Sequence, residues 1–227
     1  MQNALKIFAA LAFIILGNAC RTDREEVVLK GIEYYPIKTG TVRFYQIDSF
    51  FYDNYTNETD TVSYECRELV QSTFVDPGGD TTYRIELSTY SIEKAEWIVQ
   101  KVFTRKTNGN YAIENIDNTP EVKLLFPISK YKTRGSSYVW NINMYTSNEA
   151  TNVKYNSVFT SYYNGLTAYN DCVIIGLQKP ETGIVHNIRE EVYAKNIGLV
   201  YRHIDKSDYL LDSNSRNGYE VFVRLKP

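Results

Sequence analysis

Apolar and polar residues alternate with a period of two along most of the chain after Gly40. The alternation covers residues 62–66, 83–89, 138–144 and 219–225, where one set of alternate positions is apolar and the other is mostly polar. A period of two places alternate side chains on opposite faces of a β-strand, so each segment predicts an antiparallel strand with one solvated face. Residues 172–177 form a continuous apolar run, which is typical of a central strand covered on both sides.

Turn-forming residues separate these segments at 76–80, 108–110, 164–165 and 217–218, and they predict hairpin connections. Only three short stretches are compatible with helices: 91–96, 112–118 and 189–195. We therefore predict about ten strands in an all-β fold, or a β-rich α+β fold with short helices. A large antiparallel sheet would form a sandwich, a barrel or a curled half-barrel, and the pattern does not choose among them.

Composition supports strands and excludes one class of partner. The 227 residues include 20 Tyr and 10 Phe, residue types that suit pleated, half-buried surfaces. Lys and Arg number 25 against 27 Asp and Glu, a net charge of -2 without a basic block. The chain therefore offers no basic surface for a phosphate backbone, and we expect no nucleic-acid partner.

The N-terminus carries an export signal. Lys6 precedes an apolar run over 7–16, which is too short to span a bilayer and has the length of a secretory signal core. The run ends in Leu16-Gly17-Asn18-Ala19-Cys20, which resembles the lipobox of bacterial lipoproteins. The resemblance implies a signal peptide over 1–19, lipidation of Cys20, a tether over 20–32 and a single β-rich domain over 33–227. Such a protein is tethered to the membrane by its acyl chains, without a transmembrane helix.

Two further segments resemble uncharacterised outer-membrane lipoproteins of Bacteroidetes. These are YYPIKTG at 34–40 and EVYAKNIGLV at 191–200, where Asn196 replaces a common Gly. Arg21 occupies the position beside the lipidated Cys where Asp would signal inner-membrane retention. The resemblance thus implies an outer-membrane location, facing either the periplasm or the cell surface, and it implies no particular activity.

Candidate catalytic groups are sparse. Only His186 and His203 are available as imidazole ligands, so we expect no metal site and no cofactor. The chain lacks a Gly-x-Ser-x-Gly nucleophile elbow. Glu190 with Glu191 and Glu65 with Glu68 are conceivable acid pairs. Adjacent strand residues point to opposite faces, which disqualifies Glu190 and Glu191 as a facing pair. We therefore expect a protein that is not an enzyme, with a hydrolase using an unmarked carboxylate pair as an alternative.

Cys66 and Cys172 occupy apolar strand positions without a neighbouring His or Cys. An oxidising envelope permits a disulfide between them, but spacing alone cannot decide whether it forms.

The excess of aromatic residues is the compositional feature that points most directly to function. Tyr and Trp stack on sugar rings and dominate interfaces, although Tyr is also an ordinary strand residue. The aromatic residues expected to contact a ligand are Tyr45, Phe51, Tyr52, Tyr155, Tyr162 and Tyr163. We predict a lipid-anchored envelope protein that binds an amphipathic lipid or a glycan without catalysis, in a concave face. The alternative is a structural component that docks an envelope protein in an outer-membrane assembly.

Overall fold

The computed structural model describes residues 31–128, 132–133, 136–145, 149–177, 185–209 and 215–227. The predicted signal peptide, Cys20 and most of the tether lie outside these residues. Two short 3-10 turns, Ile32–Tyr34 and Glu149–Thr151, are the helical elements of the described part.

Strands make up most of the described chain. Their bounds are β1 Val42–Asp53, β2 Glu58–Val75, β3 Thr81–Ser91, β4 Glu96–Thr107, β5 Tyr111–Ile116, β6 Thr119–Leu125, β7 Lys132–Thr133, β8 Ser136–Ser137, β9 Val139–Asn141, β10 Asn152–Tyr163, β11 Ala168–Leu177, β12 Val185–Ala194, β13 Gly198–Tyr209 and β14 Arg216–Leu225.

Twelve strands form one antiparallel sheet in the order β6-β5-β4-β3-β2-β1-β14-β13-β12-β11-β10-β9, and β7 and β8 form a separate pair. The sheet curls until its first edge meets the segment after β9. There the Val122 amide donates to the Ile142 carbonyl over 2.7 Å, and the Met144 amide donates to the Pro120 carbonyl over 3.1 Å. The all-β prediction is confirmed, and of the three shapes considered the sheet adopts a nearly closed barrel.

Three segments predicted as helices are not helical, which corrects that expectation. Ser91 ends β3, residues 92–95 form the turn and Glu96 begins β4. Residues 112–116 lie in β5, and residues 189–194 lie in β12. Ala112 and Ile113 are both buried, so this strand is covered on two faces. The apolar residues at 112, 113 and 116 have the i, i+1, i+4 spacing of one helix face, so the local pattern resembles that of a helix.

Asn217 and Gly218 do not form a turn either. Gly218 lies within β14 with φ 126°, opposite Ser207 of β13. A Cβ atom at this position would lie 2.2 Å from the Lys206 carbonyl oxygen. Gly218 is therefore required by the close approach of the β13 and β14 backbones and not by a turn; both are common reasons for Gly beside or within a strand.

The interior has a closed end and an open end. At the closed end Tyr34 and Tyr35 enter the largest hydrophobic cluster together with Phe126, Trp140 and Tyr155. The opposite end, where the β1–β2 and β3–β4 hairpins turn, is the open end. The part of the interior next to it forms the candidate site.

Candidate functional site

The inner face of the sheet becomes a concave apolar surface toward the open end. Cross-strand register places Ile47 opposite Tyr64, and Cys66 opposite Thr89. With no register shift between residues 62 and 66, the period of two directs Val62 to the same face. The resulting β1–β4 cavity has a volume of about 650 Å³ and is lined by Ile47, Val62, Tyr64, Cys66, Leu87, Thr89, Gln100 and Lys101.

This cavity is accessible from solvent and mainly apolar. The side chains of Val62 and Tyr64 are 47% and 39% exposed, although both lie on the inner face. The cation of the cavity, Lys101, also contacts Asp117 at 2.8 Å. An apolar concavity with few, localised polar groups is the usual character of a small-molecule site.

A second concavity, the β12–β14 cavity, lies further round the same inner face. Its volume is about 460 Å³, and it is bounded by apolar side chains including Leu177, Ile204 and Tyr219. Arg189, Lys206 and Asp208 make this cavity more polar than the first. Lys206 and Asp208 are exposed, so charged groups stand near the open end of the interior.

Beneath these cavities the interior is filled by charged side chains, which we name the buried ion cluster. Arg105 contacts Glu68 at 2.8 Å and Glu114 at 2.7 Å. Lys123 contacts Glu114 at 3.3 Å and Glu191 at 3.1 Å. The complete cluster in the described chain comprises Arg43, Glu68, Arg105, Glu114, Glu121, Lys123, Arg189, Glu191 and Arg202.

The cations of the cluster keep its carboxylates ionised. Burial raises the pKa of Glu114, but attraction to Lys123, Arg105 and Arg202 outweighs burial and holds that pKa well below its usual range. Burial also raises the pKa of Glu191, and the three nearby cations reverse the effect so that this pKa too is strongly lowered. A general acid needs a raised pKa, so these two carboxyl groups are unsuited to that role.

The carboxylate pairs considered from the sequence do not face each other. Glu190 lies opposite His203 while Glu191 lies opposite Arg202, on the other face of the same two strands. Glu65 pairs with Lys226, whereas Glu68 points inward to Arg43 and Arg105.

Both histidines lie on the outer face. His203 stacks on Phe222 with ring centroids 4.4 Å apart and is 2.8 Å from the Glu220 carboxylate. His186 packs against Tyr209. Within the described residues, no group of three or more His, Cys, Asp or Glu side chains could hold a metal ion.

The structure distributes the predicted ligand-contacting aromatics over several environments. Tyr45 is buried and donates its hydroxyl to the Leu199 carbonyl over 3.2 Å. Tyr155 is buried in the main core, and Tyr162 packs against Tyr201. Tyr52 lies under the Arg216 guanidinium. These four residues therefore form no common surface.

Of the other two, Phe51 lies opposite Tyr219 on the inner face near the open end, and Tyr163 is exposed at the end of β10. Periodicity could have identified Val62 and Tyr64 as neighbours on one face. Periodicity could not have shown that Leu87 lines the same cavity, because its place beside them depends on how three strands are paired.

The disulfide considered from the sequence is not formed, since Cys66 and Cys172 are both free and buried. Cys66 lies on β2 and Cys172 on β11, and β1, β14, β13 and β12 separate these strands in the sheet. Burial raises the pKa of each thiol to about 11. Both residues thus pack as protonated thiols.

Comparisons with known proteins give structural likenesses only. No protein-family model and no curated protein sequence matches the chain. A chain from Parabacteroides distasonis, provisionally described as a lipoprotein, is similar at 9% identity with a TM-score of 0.35, covering 85% of this chain and 96% of the other. A provisionally assigned exported protein from Bacteroides fragilis with a YmcC-like fold is similar at 10% identity with a TM-score of 0.33, covering 85% of this chain and 98% of the other.

Among the described residues, no helix has the length and apolarity needed to cross a membrane.

Proposed function

We propose that this protein binds an amphipathic ligand without catalysis, and that the apolar part of the ligand occupies the β1–β4 cavity. The observation that supports the proposal is the accessible, mainly apolar β1–β4 cavity of about 650 Å³, which is larger and less polar than the β12–β14 cavity on the same face. This volume lies in the range of small-molecule sites, roughly 300–1,000 Å³.

The distribution of charge favours an acyl chain with an anionic head group. Ile47, Val62 and Leu87 provide an apolar wall that an acyl chain can cover. Lys101 on this wall and Lys206 near the open end can attract a negative group. Tyr64 is the only aromatic residue among the described lining residues, so the cavity offers a sugar ring less stacking surface than it offers a chain.

A fluorescent acyl probe tests the proposal. We expect 11-(dansylamino)undecanoic acid to bind the purified full-length protein with increased emission, and unlabelled lauric acid to displace it. Val62→Glu places a carboxylate in the cavity and should weaken binding about tenfold or more, because the charge must be desolvated beside the chain. Thr61→Glu adds the same charge at the adjacent exposed position on the opposite face and should leave binding unchanged.

The same titration distinguishes the alternatives. Displacement of the probe by maltohexaose and not by lauric acid would identify a glycan site instead. Absence of probe binding, or equal binding by Val62→Glu and wild type, would refute the proposal.

A second candidate function is docking of an envelope protein on the outer face. Trp97 packs against Phe44 and Tyr90 with ring centroids 5.7 Å and 5.5 Å apart, and Phe44 and Tyr90 are both exposed. Exposed aromatic clusters are typical of interaction surfaces. Trp97→Ala should leave probe binding unchanged, because this cluster lies on the other side of the sheet from the β1–β4 cavity.

The proposal includes a location. The lipobox resemblance supports acylation of Cys20, and Arg21 beside it supports retention at the outer membrane, facing the periplasm or the cell surface. In this arrangement the domain is a tethered binding protein of the cell envelope.

A further inference from the structure

A small cavity lies at the base of the buried ion cluster, away from the proposed ligand site. Its volume is about 10 Å³, close to what one water-sized sphere requires. Polar side chains from the N-terminal segment and from five strands line it. They are Tyr35, Arg43, Tyr45, Arg105, Glu114, Tyr193 and Arg202.

Two of the residues that line this cavity each carry a donor atom without a hydrogen-bond partner. These donors are the Tyr35 hydroxyl and the Arg202 Nε atom, and both atoms are buried. Arg202 Nε lies 3.3 Å from Glu191 Oε1, but without the alignment of a hydrogen bond. Buried polar groups in proteins are nearly always satisfied, so an unmatched pair in one cavity indicates a bound species that accepts hydrogen bonds.

The charge of the surrounding cluster indicates the sign of that species. The described chain supplies five cations to the cluster and four carboxylates, which leaves one positive charge in excess. The cations are Arg43, Arg105, Lys123, Arg189 and Arg202, and the carboxylates are Glu68, Glu114, Glu121 and Glu191. An uncompensated charge in the interior is costly, and a bound anion would remove that cost.

We propose that this cavity holds a single small anion of the halide class, such as chloride. Water would satisfy the two donors, yet it would leave the excess charge in place. Glu114 is the one carboxylate that lines the cavity, and Lys123, Arg105 and Arg202 all contact it. The anion would connect Tyr35, which follows the first 3-10 turn, to β13 and so hold the N-terminal segment against the sheet.

The experiment compares two adjacent tyrosines. Thermal unfolding is followed for the full-length wild type, Tyr35→Phe and Tyr34→Phe at rising chloride concentration, with sodium gluconate keeping the ionic strength constant. Chloride that binds the folded state raises the free energy of unfolding by RT ln(1 + [Cl⁻]/Kd), so Tm climbs with the logarithm of chloride concentration once that concentration exceeds Kd. We expect this rise for the wild type and an apparent chloride affinity about tenfold weaker for Tyr35→Phe, which loses one donor to the anion.

Tyr34→Phe is the matched control, because the Tyr34 hydroxyl donates to Asp171 and does not line the cavity. It should lower Tm at every chloride concentration and retain the chloride dependence. Tyr35→Phe keeps the ring that packs against Tyr193, so in gluconate it should fold as the wild type does.

Crystals grown in sodium bromide give the direct readout. An anomalous peak within hydrogen-bonding distance of Tyr35 Oη and Arg202 Nε is the expected result. A water peak without anomalous signal, a wild-type Tm that does not respond to chloride, or equal chloride dependence in all three proteins would each overturn the proposal.

Discussion

Glu191 has no exposed side-chain surface, and Lys123, Arg189 and Arg202 surround it. It also accepts a hydrogen bond from the Tyr193 hydroxyl. A buried charge is tolerated only when it is paired, and removing one partner of such a group typically costs about 3–5 kcal/mol. Removing one residue of the buried ion cluster therefore leaves the charge of its partners unpaired in the interior.

The lowered pKa values of Glu114 and Glu191 make stability depend on acid pH. Each carboxyl group has a lower pKa in the folded state than in the unfolded chain, where the pKa of Glu is about 4.3. The ionised carboxylates therefore contribute fully to the free energy of unfolding above the unfolded-state pKa. This contribution is lost as pH falls toward the folded-state pKa. We expect the free energy of unfolding, measured in urea, to be nearly constant from about pH 7 to 5 and to fall below about pH 4.

Glu191→Gln should lower the free energy of unfolding at neutral pH by about 3–5 kcal/mol and reduce its dependence on acid pH. Glu93→Gln, at an exposed position in the β3–β4 turn, is the control and should follow the wild type. A wild-type free energy that does not change between about pH 5 and 3 would contradict this account.

At the scale of elements, the two ends of the sheet are joined partly by side chains. Trp140 of β9 donates its indole N–H to the Val122 carbonyl over 2.9 Å. The Tyr155 hydroxyl of β10 accepts from the Leu125 amide over 2.9 Å and donates to the Leu125 carbonyl over 2.8 Å. Edge strands expose unpaired backbone groups, and these two side chains satisfy several of those on β6.

Tyr155→Phe should therefore weaken the junction between β6 and β10. We expect a loss of about 1–3 kcal/mol in the free energy of unfolding, because a partly buried amide and carbonyl lose their partner while the ring is kept. Hydrogen exchange at the Leu125 amide should become faster. Tyr163→Phe, whose exposed hydroxyl donates to Gly165, should change stability by less than about 0.5 kcal/mol. Equal stability of the two variants would show that the junction does not need this hydroxyl.

At the scale of the whole molecule, the segment that leads from the proposed anchor joins the described domain at the closed end. The described domain begins at Gly31, beside Ile128 of the closed-end core. Ten residues separate Gly31 from Cys20, so the two Cα atoms lie at most about 40 Å apart when the segment is extended. A lipid on Cys20 would thus be joined to the domain at its closed end.

Replacement of Cys20 tests the anchor. The wild type should enter the detergent phase in a Triton X-114 separation, and Cys20→Ser should remain in the aqueous phase because it lacks the acyl chains. Cys66→Ser is the matched control and should partition as the wild type does. Continued detergent partitioning of Cys20→Ser would refute the anchor.

Local pattern was sufficient for most of the strands and their faces, although the segment predicted over 138–144 is a strand only at Val139–Asn141. The alternation over residues 83–87 gave β3 its inner and outer faces, and the same rule placed Glu190 and Glu191 on opposite faces of β12. This succeeds because the two-residue period is a property of the extended backbone itself. It failed for residues 112–118 and 189–195, where burial on both faces removes the alternation that distinguishes a strand from a helix.

Only the tertiary structure decided what the interior contains. Glu68, Arg105 and Glu114 come from three strands, and Lys123 and Glu191 from two more, so their contact requires both the register and the curl of the sheet. The β1–β4 cavity likewise depends on the pairing of Cys66 with Thr89. The sequence by itself determined the strands, the absence of a local catalytic motif and the lipobox-like start, because these are contiguous features. The cavity and the ion cluster arise from pairings between distant segments, whose choice depends on the free energy of the whole packed sheet.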